Sequence, residues 1–168
     1  MNLVSFKKTN LTILLTCISV SFLSFQGCSD REVVEKDPMR PEHRFFLAID
    51  RGDLNQIQEL LDAGLPINVK DSLGNSGLMR AVDEEEVQIV QFLLNRGANV
   101  NHRNTAGETA LFRAVYRGNL NLVQLLVKKG AETKIKTISG VSVFELAEER
   151  GEDSIIEYLK SHQTKTKP

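Results

Sequence analysis

The chain repeats itself every 33 residues, and that period constrains its fold before any local propensity is considered. Gly74, Gly107 and Gly140 fall on it, as do Gly64, Gly97 and Gly130, and so does the series Ala48, Ala81, Ala114, Ala147. The fullest copy is Asn104–Lys136, NTAGETALFRAVYRGNLNLVQLLVKKGAETKIK. Gly107 punctuates a turn. Thr109 follows where an N-cap belongs, its oxygen able to accept from a free N–H of the first helical turn. Leu111, Ala114 and Val115 share a helical face, and Gly118 can take the left-handed conformation that closes this first helix. Leu122, Val123, Leu125 and Leu126 predict a second helix. It closes at Gly130 after Lys128 and Lys129, which suit the negative end of the helix dipole. Each unit therefore reads as a turn, two short helices and a loop. One such pair cannot bury its apolar face alone, so neighbours must stack.

These residues resemble the ankyrin repeat, whose pattern runs D-x-x-G-x-T-P-L-H-x-A-A…V-x-x-L-L-x-x-G-A-x-x-N. The third unit matches through Gly107, Thr109, Leu111, Ala114, Gly118, Val123, Leu126, Gly130 and Ala131. The second matches through Gly74, Leu78, Ala81, Val90, Leu93, Leu94, Gly97, Ala98 and Asn101. The first lacks its turn and runs from Phe45 to Asn68; the fourth is weaker, through Gly140, Ser142, Phe144, Ala147, Gly151, Ile156 and Leu159. The resemblance implies an all-α solenoid of about four helix-turn-helix units with β-turn fingers. Its repeats span about 43–70, 71–103, 104–136 and 137–161 within a domain at 43–161. The outer units are the more polar: Gln56 and Glu59 soften the first, and Lys160 and Ser161 the last. The tail 162–168 has no apolar content and is expected to fray.

Departures from the pattern are informative. Gly77, Ala110 and Val143 replace its Pro; Met79, Phe112 and Glu145 replace its His. Ser142 and Glu145 have capping-box spacing, which offsets the lost Pro. Glu85 stands where the other units have Gly52, Gly118 and Gly151. A left-handed conformation there would cost ~1–2 kcal/mol.

The first 27 residues read as an export signal. Lys7 and Lys8 precede the uncharged run Leu11–Phe25, which is shorter than the ~20 apolar residues that cross a bilayer core. The run ends at Phe25-Gln26-Gly27-Cys28. This resembles the lipobox of bacterial lipoproteins, implying lipidation at Cys28 and a protein of the bacterial cell envelope. Ordinary signal-peptidase cleavage is the alternative. Cys17 would be removed with the signal, so Cys28 has no intramolecular disulfide partner. Residues 28–42 are charged, hold Pro38 and Pro41, and read as a tether.

Two of the 21 basic residues and none of the 22 acids fall in the first 27, so the remainder carries a net charge of −3. That gives no electrostatic case for nucleic acid. His43, His102 and His162 lack partners at metal-ligand spacing and read as solvated loop residues. The run Asp83-Glu84-Glu85-Glu86 closes one helix and opens the next, and reads as solvated. There is no P-loop, nucleophile elbow or Cys–His pairing. A non-enzymatic protein without cofactor or metal is expected, and a small hydrolase is the weakest alternative.

The resemblance implies that turn tips and first-helix faces form a concave surface that grips a protein partner. The tips match Lys70, Ser72, Leu73 and Asn75; Arg103, Thr105, Ala106 and Glu108; Lys136, Ile138, Ser139 and Val141. The helix positions match Asp50 and Arg51, Asp83 and Glu84, Tyr116 and Arg117, Glu149 and Arg150. Lys70, Arg103 and Lys136 lie 33 residues apart and would form a basic ladder. Tyr116 and Arg117 belong to types enriched in interface hot spots. The expected contact set is Lys70, Leu73, Arg103, Glu108, Tyr116, Arg117, Lys136, Ile138 and Arg150. The expected role is a monomeric, lipid-anchored scaffold, an inhibitor or immunity protein being one version and a secreted effector the alternative.

Overall fold

The computed structural model describes residues 40–162. The expected signal at 1–27, Cys28, the tether up to residue 39 and the tail from 163 lie outside the described residues. Within them the chain forms eight helices and no strand. The first pair is α1 (Pro41–Asp50) and α2 (Leu54–Asp62), the second α3 (Gly77–Asp83) and α4 (Val87–Asn95). The third is α5 (Ala110–Tyr116) and α6 (Leu120–Lys128), the fourth α7 (Val143–Arg150) and α8 (Asp153–His162). Helices of a pair pack on each other, and α1, α3, α5 and α7 pack in succession. This is the all-α solenoid of four units that the period implies.

The stack closes because the recurring alanines leave room for it. Ala48, Ala81, Ala114 and Ala147 have no exposed surface, and Ile49, Leu78, Val82, Leu111, Val115, Leu122 and Leu126 fill the space between pairs. Ser76, Thr109 and Ser142 cap α3, α5 and α7, accepting from the N–H groups of Met79, Phe112 and Glu145 at 3.2–3.3 Å. Ser142 N–H in turn donates to Glu145 Oε2 at 2.6 Å, completing the predicted capping box. At the place of the missing Pro, a Cβ on Gly77 would collide with the Phe45 ring. Close packing on α1 therefore excludes any larger residue there.

Three turns project as fingers, Lys70–Ser76, Arg103–Thr109 and Lys136–Ser142, the first and third closed by antiparallel bridges between their end residues. They are stitched together in one direction. Thr105 donates to the Leu73 carbonyl through N–H (3.2 Å) and Oγ1 (2.8 Å), and Ile138 N–H donates to the Ala106 carbonyl at 2.9 Å.

Two boundaries shift from the sequence reading. Pro41 and Glu42 belong to α1 and not to the tether, because Pro at the first helical position gives up an N–H that has no partner there anyway. His162 is the last residue of α8, its Nδ1 2.9 Å from the Tyr158 carbonyl, and not part of a frayed tail. Glu85 does take the left-handed conformation, at φ +57°, alone among described non-glycine residues. Asn119 Nδ2 donates to its carboxylate at 2.8 Å and holds it there.

Candidate binding face

The 33-residue period places Arg80 and Arg113 on one row of the first helices and Asp50 and Asp83 on another. Each arginine meets the aspartate 30 residues before it, so the pairs bridge successive repeats. Arg80 holds Asp50 through Nε at 2.6 Å and Nη2 at 3.0 Å. Both side chains are partly exposed, which places such a pair at ~0–1 kcal/mol. The Arg80 hydrogen bonds hold the Asp50 carboxyl below its ordinary value.

The second pair is more deeply set. Arg113 Nη1 lies 2.5 Å from Asp83 Oδ2, and the Asp83 side chain is only 14% exposed. Arg113 also donates to Glu108 Oε2 through Nη2 (2.8 Å) and Nε (3.1 Å), and to Asn75 Oδ1 (3.2 Å). Asn104 Nδ2 bonds the same two acceptors at 2.8 and 2.9 Å. Asp71 completes the set, accepting from the Leu73 and Asn75 N–H groups and from Asn75 Nδ2 at 2.8–2.9 Å. Burial pushes the Asp83 carboxyl above its ordinary value, outweighing the opposing charges of Arg113 and Arg117. This network ties two fingers to α3 and α5, so finger tips and first-helix ends form one continuous face.

At the third step the ladder stops. Tyr116 occupies the aspartate row and Leu146 the arginine row. Tyr116 is 53% exposed, and the Arg150 guanidinium sits 4.8 Å above its ring centroid. Arg117 is exposed and only loosely tied, its Nε 3.9 Å from an Asp83 that Arg113 already holds. The result is an exposed ring with one guanidinium stacked on it and another on the next residue. Two apolar tips accompany it, Leu73 at 62% and Ile138 at 75% exposed.

The other expected contacts fare differently. The basic ladder does not exist as three free cations. Arg103 is spent on backbone, donating to the Lys136 carbonyl at 2.7 Å and the Gly107 carbonyl at 3.3 Å. Lys136 pairs with Glu145 at 3.4 Å, while Lys70 is exposed without an ion pair among the described residues. Glu108 is half-buried in the Arg113 network instead of standing free at a tip. Asp83 is likewise not a solvated member of its acidic run. His102 is no free loop residue, its Nε2 lying 2.8 Å from the Gly74 carbonyl of the preceding finger. Arg113, the centre of the network, was missed from sequence, although Arg80 and Arg113 on the period were a visible signal. Among the described residues, no group of three His, Cys, Asp or Glu could hold a metal.

Such a stack defines a class: a repeat scaffold whose helices bury one another and leave fingers and first helices as its working surface. A family model for ankyrin repeats (three copies) matches residues 45–137, more than half of the chain, and the chain belongs to the ankyrin-repeat family. Its repeats mark it as a protein–protein interaction scaffold. A search of curated proteins finds no match to it.

Proposed function

We propose that the chain binds a protein partner across its fingers and first helices, with Tyr116, Arg117 and Arg150 as anchors, and acts by occlusion or tethering without chemistry of its own. The observation that carries this is the break in the ladder. Two junctions close with Arg–Asp pairs, whereas the third leaves a half-exposed ring under a guanidinium. Solvent alone gives no reason for a large exposed aromatic, and Tyr and Arg dominate interface energetics. A capture experiment from the native source tests it. Tyr116→Ala/Arg150→Ala is expected to lose the partner, while Arg96→Ala, which cuts an ion pair to Asp62 on the second helices, keeps it. Equal recovery by both variants rules these residues out as anchors.

The anchored version of this role rests on the sequence at Gly27-Cys28 and the apolar run before it. Among the described residues no helix is long and apolar enough to cross a membrane. We propose attachment to the bacterial envelope through lipid at Cys28, holding the scaffold at the membrane as an inhibitor or immunity protein. Palmitate labelling that disappears in Cys28→Ala, with release from the membrane, supports it. An unlabelled parent protein overturns it.

A further inference from the structure

Charge is sorted between two edges of the stack. Connectors of two or three residues join each first helix to its second, which must run back antiparallel. The turns therefore gather at one edge. The loops that leave the second helices gather at the other, where residue 40 opens α1. Contacts between repeats align both edges. On the loop edge Arg96 pairs with Asp62 at 2.8 Å, and the N–H groups of Asn99 and Glu132 donate to Asn68 Oδ1 and Asn101 Oδ1 at 2.9 Å. On the turn edge Asn119 holds Glu85, and a Cβ on Gly118 would collide with the Glu152 carboxylate.

The equivalent loop segments 62–70, 95–103 and 128–136 carry seven basic residues against two acids, a net +5. The turns 50–53, 83–86, 116–119 and 149–152 carry eight acids against three arginines, a net −5. A second helix of nine residues separates the edges by about 14 Å, whereas the Debye length is about 8 Å at 0.15 M salt. A surface lying against the loop edge thus feels its cations while the far acids are largely screened. Nor does the fold consume those cations. Lys70, Lys128, Lys129 and Lys134 are exposed and have no ion pair among the described residues, Lys129 bonding only the neutral Asn95 amide at 2.9 Å. One period after Asn101, Lys134 replaces the amide that stitches loop to loop with a free charge.

We propose that the loop edge docks on an anionic phospholipid surface, with Lys128, Lys129 and Lys134 as its main contacts. Lysines are flexible point charges, and a row of them along an edge suits a plane of headgroups that have no fixed positions. Nucleic acid would ask for aromatics on which bases stack, and none of the large exposed hydrophobics lies in the three loop segments. The segment that follows Cys28 in sequence joins the scaffold at this same edge. This deepens the anchoring reading by orienting the scaffold, although the charge on the edge needs no lipid at Cys28. It also turns Tyr116, Arg117 and Arg150, which stand on the turn edge, away from the lipid and toward a partner.

Vesicle partition of the full chain carrying Cys28→Ala, which has no lipid at that position, tests this. Vesicles of one-third phosphatidylglycerol are compared with neutral phosphatidylcholine vesicles. The ratio of the two partition coefficients cancels any hold through the apolar N-terminal run, so the anchoring reading can fail while this proposal stands. Each lysine near such a surface contributes roughly fivefold, so a ratio of about a hundredfold is expected at low salt. It should fall toward one at 1 M salt, where the Debye length is about 3 Å. Lys128→Ala/Lys129→Ala/Lys134→Ala should cut the ratio at least tenfold, and arginine at the same three positions should keep it. Arg51→Glu/Ser154→Glu makes the same change in net charge on the turn edge and should alter the ratio less than twofold. A low-salt ratio near one in the Cys28→Ala chain overturns the proposal. So does equal loss from the two edges, loss in the arginine variant, or a short DNA duplex bound more tightly than the anionic vesicles.

Discussion

The junction between the second and third repeats and the junction between the third and fourth use the same positions for opposite purposes. At the former, Arg113 gathers Asp83, Glu108 and Asn75 and locks two fingers onto two helices. At the latter, Leu146 is buried where the arginine would stand and Tyr116 faces outward where the aspartate would stand. The backbone is the same in both, including a capped first helix and a stitched finger. Polar complementarity is thus a local choice laid over a fold that apolar stacking already holds. Where the choice is withdrawn, surface becomes available for something outside the chain.

The sharpest way to break this comparison is to remove Arg113. Arg113→Ala strands the shielded Asp83 carboxylate together with Glu108, and unmaking such a pair costs ~3 kcal/mol. Chemical denaturation is expected to show that loss; a change below 1 kcal/mol would mean the network is ornamental. Next in size is Glu85→Gly, on the turn that leads from Asp83 to α4. Relief of left-handed strain at φ +57° exceeds the exposed Asn119 bond that is lost, for a net gain of ~0.5–1 kcal/mol or ~2–4 °C in melting temperature. An unchanged or lower melting temperature would mean the Asn119 bond matters more. Arg80→Ala, the shallow counterpart of Arg113→Ala, should cost only ~0.5 kcal/mol.

The smallest effect is one of sign. Asp50 has its folded pKa lowered by Arg80, so its ionised form stabilises the fold above the unfolded value near 3.8 and loses that contribution as pH falls through the folded value. Asp83 has its folded pKa raised by burial, so ionisation there opposes folding and protonation relieves it as pH falls through the raised value. Asp50→Asn should therefore destabilise more at pH ~6 than at pH ~3, and Asp83→Asn less. Urea melts at the two pH values read both slopes, and slopes of the same sign would refute the contrast.

The fold was legible because its determinants are local and recur. Gly107, Gly118 and Gly130 mark where the chain must turn, Ala114 marks where helices approach, and Thr109 and Ser142 announce caps that the structure contains. The face was legible only in part. A sequence shows that Arg103 is charged but not that its guanidinium folds back onto two carbonyls of the fingers. Asp83 looked like a free acid for the same reason, because Arg113 of the next repeat reaches it only after the repeats stack; Glu108 is held by Arg113 of its own repeat, five residues on, a pairing that the charges alone did not announce. His102 reached the Gly74 carbonyl of another repeat by the same route. The apolar tips Leu73 and Ile138, and Tyr116 itself, could be anticipated because nothing in the repeat required them to be apolar there.

The central claim is that the third junction is the contact unit, and amide hydrogen exchange on the partner-bound protein tests it most directly. Protection gained on binding is expected around Tyr116–Arg117, Ile138 and Glu149–Arg150, with the second helices α4 and α6 unchanged. Protection that instead centres on α4 and α6, leaving Tyr116 and Arg150 exchanging as in the free protein, would contradict it.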